Sequence, residues 1–265
     1  MEQKINNNII VCIPTNRDNP ENSFLDSTLS GIANQSVLPY KIILRDEGKF
    51  ECFAKHSTRM LWNLLSMLGI ELIYMRNLNA KGVANARFEL SEIVPPNIFT
   101  LMVDDDVVLK FDAIETIINA ARKIKDFGFI QGQKIEINPN RNYLNDINKL
   151  NCLSSKIDPV RIFFGDAAFL LVKSNYLKEI NWEIVTKYSY ERLAGEDVLI
   201  TLQIADKYPC YGIPDAVGWH ISPFSERWRW EISSDLLQVE LLKNIVSSNT
   251  LSKALPHIKV TQSER

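Results

Sequence analysis

Three consecutive aspartates, Asp104, Asp105 and Asp106, interrupt the apolar run from Phe99 to Leu109 in a chain of 265 residues. Adjacent carboxylates repel by about 1 kcal/mol per close pair in water, and by more where solvent is excluded. Such a cluster needs a counter-charge. Side chains alternate sides along a strand, which would bring Asp104 and Asp106 together and turn Asp105 away toward structural contacts. Two hard carboxylate oxygens at one edge suit Mg²⁺ or Mn²⁺, above all when a bound diphosphate supplies further oxygens. A bare D-x-D also matches solvated strand ends by chance. Acidic pairs recur at Asp46–Glu47, after a strand-like run, and at Glu196–Asp197, directly after Gly195. At a helix start a carboxylate is favoured by the dipole and the free N–H groups. That would keep Asp197 ionised and ready to take a proton, although an ordinary first-turn acidic pair looks the same.

The elements that must position these groups follow from hydrophobic patterning. "NIIVCIP", "YKIILRDEG", "IELIYM" and "IFTLMV" read as buried strands. They alternate with the helix-like segments "SFLDSTLSGIANQS", "FAKHSTRMLWNLLSMLG" (Gly69 as C-cap) and "GVANARFELSEIV", closed by Pro95 and Pro96. A fourth helix, "FDAIETIINAARKIKDFG", follows. This alternation predicts an α/β fold, a mostly parallel Rossmann-like sheet flanked by helices. Ligands of such sheets bind beyond the carboxyl ends of the strands, where the second and fourth strands deliver Asp46–Glu47 and the three aspartates. The second half is less regular. "FIQGQKIEI" reads as a strand, Asn138 to Asn151 as a long loop or lid, "RIFFGDAAFLLVK" as strand-like, "GEDVLITLQIADKY" as a helix, and "CYGIPDAVGWHIS" as short strands. Near the end, Leu236, Val239, Leu242 and Ile245/Val246 share one helical face.

The order of these segments resembles the GT-A fold glycosyltransferases, specifically the inverting family 2 type, over residues 9 to 222. "IIVCIPTNRD" through "RDEG" is similar to the family's opening strand, helix and second strand, with Asp46 the better match to its base-contacting acidic element. "KGVANARFE" resembles its Gly-rich "ARN" segment, with Phe88 in place of Asn. "LMVDDDVVL" resembles the metal-binding DxD, "GDAAFLLVK" the strand near the acceptor, "AGEDVLITLQI" the Glu-Asp helix start that carries the catalytic base, and "GIPDAVGWHIS" the late strand ending in a metal-shell His. Each motif is weak alone; six in the right order are not.

The resemblance implies a transfer from a nucleoside-diphosphate sugar, UDP first, to an acceptor hydroxyl with inversion. Asp106 and His220 would hold Mn²⁺ or Mg²⁺, which stabilises the departing diphosphate as a Lewis acid. Asp197 would be the base, with Glu196 beside it. Pro14, Thr15, Arg17, Asp46, Arg87, Asp104 and Asp105 would contact the nucleotide sugar. Gly165 and Asp166 fall near the acceptor. Glu226 to Trp230 partly resembles the Gln-x-x-Arg-Trp motif of processive members, so Arg227 or Arg229 could pair with a diphosphate and Trp228 or Trp230 stack on a sugar. An amphipathic segment burying its tryptophans reads as well. His56 and His257 have no such context and read as structural.

Composition limits the alternatives. Net charge is −2, so no bulk attraction to nucleic acid or anionic membrane is built in. Four scattered cysteines form no CxxC pair, arguing against a zinc or disulfide framework and for a reducing compartment. The polar start "MEQKINNN" is no signal peptide, and no apolar stretch reaches the roughly 20 residues of a membrane span. The expectation is a cytoplasmic protein: a domain over residues 1–225, its nucleotide-sugar half at 1–110 and its acceptor half at 111–225, with a C-terminal helical extension over 226–265. That extension could face its own domain, a second subunit or the inner membrane surface. The acceptor, whether saccharide, lipid-linked, peptide or small molecule, is not legible. A metal-dependent nucleotidyltransferase would share the acidic ligands, but "PTNRDNPEN" lacks a glycine-rich phosphate loop. A non-catalytic nucleotide- or carbohydrate-binding module of the same fold should lack an acid at the base position.

Overall fold

The computed structural model describes residues 3–17, 19–79, 81–136, 158–190, 195–221, 232–233, 242, 245–254 and 260–261. Its first half alternates β1 (Lys4–Thr15), α1 (Leu25–Ala33), β2 (Val37–Asp46), α2 (His56–Met67), β3 (Glu71–Arg76), α3 (Val83–Ile93) and β4 (Phe99–Val103). Ile9 to Ile13 are each at most 1% exposed, as a central strand covered on both faces requires. Odd and even residues then serve two cores. Ile9, Val11 and Ile13 pack with Leu25, Leu29 and Ile32 of α1 and Leu65 of α2, whereas Ile10 and Cys12 meet Leu90 of α3 and Val94. Gly69 ends α2 with φ +86°, and its N–H bonds the Ser66 carbonyl, the glycine cap expected there.

β1, β2, β3 and β4 are parallel in the order β3-β2-β1-β4. The chain winds outward through β2 and β3, then returns to the other side of β1. The strand order therefore reverses between β1 and β4, and a crevice opens at their carboxyl ends. Thr15 and the three aspartates emerge there.

Beyond β4 the nine-stranded sheet is mixed. The remaining elements are β5 (Val107–Leu109), α4 (Ala113–Ile124), β6 (Phe129–Glu136), β7 (Val160–Ile162), β8 (Phe169–Lys173), the short α5 (Ser174–Leu177), α6 (Trp182–Tyr190), α7 (Glu196–Lys207) and β9 (Cys210–His220), with α8 (Ser248–Ala254) near the end. β8 lies antiparallel to both β4 and β6, β9 runs parallel to β6, and β5 and β7 pair antiparallel to β9. These directions bring the start of β8 and the carboxyl ends of β6 and β9 to the edge where β1 and β4 finish. The segment expected as one strand from Arg161 to Lys173 is instead β7, a loop over residues 163–168, and β8. The short strands expected after Cys210 are one long β9, whose register with β6 shifts between Gly132 and Gln133.

α7 is buried nearly all round, from Glu196 and Asp197 through Leu199, Ile200 and Leu202 to Ile204. It shares a core with Met102, Leu170, Val172 and, from the C-terminal segment, Leu242, Val246 and Leu251. A helix so enclosed holds its first turn firmly. Among the described residues, no helix is long and apolar enough to cross a membrane. Cys12, Cys52 and Cys210 are buried free thiols.

Candidate active site

The strand ends at Val103, and Asp104–Asp106 form the turn between β4 and β5. Strand alternation therefore does not sort them. Asp105 is not turned away: its Oδ2 accepts from Thr15 Oγ1 at 2.5 Å, and it receives Arg17 through Nε at 3.3 Å and Nη2 at 3.1 Å. The same Arg17 Nη2 donates to Asp106 Oδ2 at 2.9 Å. Backbone bonds pin the turn, with Asp104 N–H on the Ala168 carbonyl and Ile221 N–H on the Asp106 carbonyl. The Val107–His220 pairing of β5 with β9 sets His220 Nε2 at 3.2 Å from Asp106 Oδ1. Burial pushes the Asp105 carboxyl up, with Asp106 adding to the rise and Arg17 opposing it.

Arg87 is the second organising cation. Gly82, with φ +89°, precedes α3 in a conformation that only glycine adopts cheaply, and its N–H bonds Glu47 Oε2 at 3.1 Å. One turn into α3, Arg87 is 3% exposed; its Nη2 meets Asp104 Oδ1 at 2.6 Å and its Nη1 meets Glu196 Oε1. Burial alone would lower its pKa, but Asp104, Glu196, Asp197 and Asp166 outweigh it and hold the charge in place. Asp104 is pushed up to about 6 by burial, with Asp106, Asp166 and Glu196 adding and Arg87 opposing.

Asp197 is 7% exposed, and its Oδ1 accepts its neighbour's Val198 N–H at 2.8 Å. A helix start by itself would keep it ionised. Instead its pKa is raised well above the ordinary carboxylate value by burial, then by Glu196 and Asp166, against which Arg87 and the Val198 N–H work. Burial with two like charges outweighs a helix terminus, whose effect is about 0.3–2 kcal/mol.

The remaining expected residues fall in different places. Pro14 is buried near the end of β1, close to Cys12, Arg87 and Leu90. Asp46 ends β2 at the carboxyl edge of the sheet but is 1% exposed, and its oxygens are taken by Gly48 N–H, Cys52 N–H and Tyr74 O–H at 2.8–2.9 Å. It shapes the turn after β2. Gly165 gives its N–H to Thr201 Oγ1 of α7 at 3.0 Å. Asp166 pairs with Lys134 of β6, and its backbone N–H bonds Gln131 Oε1 at 3.1 Å. Arg227, Trp228, Arg229, Trp230 and the Asn138–Asn151 segment lie outside the described residues.

Two partners escape a reading of the sequence. Lys134 and Gln131 lie in the strand-like run "FIQGQKIEI", which also holds Gln133 and Glu136, so residue type does not single them out. Arg17, expected on the nucleotide, sits on the acidic turn. Six carboxylates (Asp104, Asp105, Asp106, Asp166, Glu196, Asp197) thus face Arg17, Arg87 and Lys134 at one edge. Among the described residues no three His, Cys, Asp or Glu side chains converge as a closed metal site. The donor set still fits a hard divalent ion: Asp106 and His220 present oxygen and nitrogen side by side, and a guanidinium already stands between Asp105 and Asp106. Mg²⁺-type sites commonly take one or two carboxylates and complete their shell with substrate phosphates.

No family model matches the sequence, and no curated protein matches it in sequence. Solved structures do match in shape. A crystal structure of S. aureus TarS superposes with a TM-score of 0.58 at 11% identity, covering 80% of this chain and 36% of that one. The mannosyltransferase PcManGT from Pyrobaculum calidifontis, in complex with GDP-Man and Mn²⁺, gives 0.55 at 14% identity, covering 82% and 57%. TarS 1–349 in complex with UDP gives 0.55 at 12%, covering 80% and 59%. This chain therefore spans between about a third and three fifths of those chains. With the strand order and the edge-loaded site, the likeness shows that the chain has the GT-A-type fold of these glycosyltransferases.

Proposed function

We propose that this chain is a metal-dependent, inverting glycosyltransferase of the family 2 type, moving a sugar from a nucleoside-diphosphate sugar to an acceptor hydroxyl. The observation that carries the reading is the meeting of two acidic halves at one sheet edge. Asp106 with His220 lies on one side, Glu196–Asp197 on the other, and Arg87 bonds both Asp104 and Glu196. Asp106 and His220 would hold Mn²⁺ or Mg²⁺, which when bound supplies charge stabilisation for the leaving diphosphate. Asp104 faces the ribose or sugar, and Thr15 and Arg17 line the nucleotide side. Asp197 takes the acceptor proton as that oxygen bonds the anomeric carbon; the old C–O bond breaks on the opposite face, and its electron pair leaves with the diphosphate. Asp166, steadied by Lys134, lies on the acceptor side. UDP and GDP are the donors to try first, since neighbours of the same fold bind UDP and GDP-Man.

The test is release of nucleoside diphosphate from a panel of nucleotide sugars with Mn²⁺, with and without EDTA, in the parent and in Asp197→Asn. Metal-dependent turnover in the parent, with donor still bound but transfer lost in Asp197→Asn, supports the assignment. Undiminished turnover in that variant removes Asp197 as base.

A further inference from the structure

Arg17 occupies the position that a cation on Asp105 and Asp106 would take. It grips Asp105 through two nitrogens and reaches Asp106 with Nη2 at 2.9 Å. The two carboxylates are 9% and 8% exposed, yet the Arg17 side chain is 34% exposed. It lies beyond the end of β1, where leaving the pair would cost no burial in the core. A guanidinium also matches phosphate oxygens in fork geometry.

We propose that Arg17 is a resident counter-cation of Asp105 and Asp106 that competes with the divalent ion for Asp106, and transfers to the donor diphosphate when the ion binds. As a positioning residue it couples the two ligands. Metal alone must displace Arg17 into solvent; metal with nucleotide gives it a new anionic partner. The apparent affinity for metal falls by the fraction of molecules in which Arg17 has swung off the two carboxylates, so occupancy by Arg17 in about nine molecules of ten weakens metal about tenfold. Nucleotide and metal then strengthen one another by the same factor. This rests on the reading of Asp106 as a metal ligand.

The experiment measures Mn²⁺ affinity by paramagnetic resonance of the free ion, without nucleotide and with saturating UDP or GDP, for the parent, Arg17→Met and Arg17→Lys. Melting of each protein with and without Mn²⁺ is followed in parallel. The expected result is that Arg17→Met binds Mn²⁺ alone about tenfold more tightly than the parent, and that its nucleotide coupling falls by that same factor to what direct contact of ion and diphosphate supplies. Arg17→Lys should fall between, because one ammonium cannot span both carboxylates. Arg17→Met should also melt lower without metal and recover with it. Mn²⁺ binding to Arg17→Met no more tightly than to the parent overturns the proposal while leaving the site reading intact. A parent that binds no Mn²⁺, even with nucleotide, removes that reading and the proposal with it.

Discussion

Replacing Arg87 by Met tests the hub of the site through stability alone. Methionine keeps much of the unbranched stem but removes a guanidinium that is 3% exposed and bonded to Asp104 and Glu196. Breaking a buried ion pair by deleting one partner costs about 3–5 kcal/mol, because the other partner stays buried and uncompensated. The Glu196 side chain is 10% exposed and bears most of that penalty; Asp104, at 29%, is better solvated and bears less. Near neutral pH the urea midpoint should fall by about 1 M or more, given a slope of about 1–3 kcal/mol per M. The sign with pH is also set. Without Arg87, Asp104, already raised, acquires a still higher folded-state pKa, and a raised carboxyl loses stability as pH climbs through it. The deficit should therefore be smaller at pH 5 than at pH 8. Arg87→Lys should recover part of it. A loss under about 1 kcal/mol at pH 8, or one that does not change with pH, would refute the idea that Arg87 holds the acidic halves together.

Other positions give sharp outcomes. A Cβ at Gly132 would sit 2.0 Å from the Phe169 ring in the middle of the sheet, so Gly132→Ala should cost about 1–3 kcal/mol by denaturant melt. At Gly82 a Cβ would meet nothing within 4 Å, but φ is +89°; Gly82→Ala should still lose about 1–3 kcal/mol, from backbone strain alone. The raised Asp197 carboxyl must be ionised to accept a proton. Transfer rate should therefore climb with pH well beyond the usual carboxylate range before levelling, and a profile already flat at pH 5 would contradict the buried-base picture.

The first half of the fold is legible in the sequence because its strands are buried on both faces and read as unbroken apolar runs between well-marked helices. Ile9–Ile13 and the glycine stop at Gly69 need no tertiary information. The site is legible as a set of residue types at one sheet edge, for the same topological reason. Finer geometry is not. The three aspartates sit in a turn stabilised by partners from β1, the loop before β8, and β9, so strand periodicity has no authority over them. Arg17 and Lys134 reach their carboxylates across tens of residues, which local pattern cannot encode. A helix start alone misjudges Asp197, because burial by α7's surroundings and the charges of Glu196 and Asp166 set its protonation.

Where the metal and nucleotide sit is the central claim. Crystals grown with Mn²⁺ and UDP, or GDP, and measured at the manganese absorption edge locate the ion without reference to activity. The predicted result is one strong anomalous peak bridging Asp106, His220 and the diphosphate, with Arg17 moved off Asp106. A peak elsewhere, or nucleotide bound at the edge of β1 and β4 with no ion and Arg17 still between the aspartates, would contradict it.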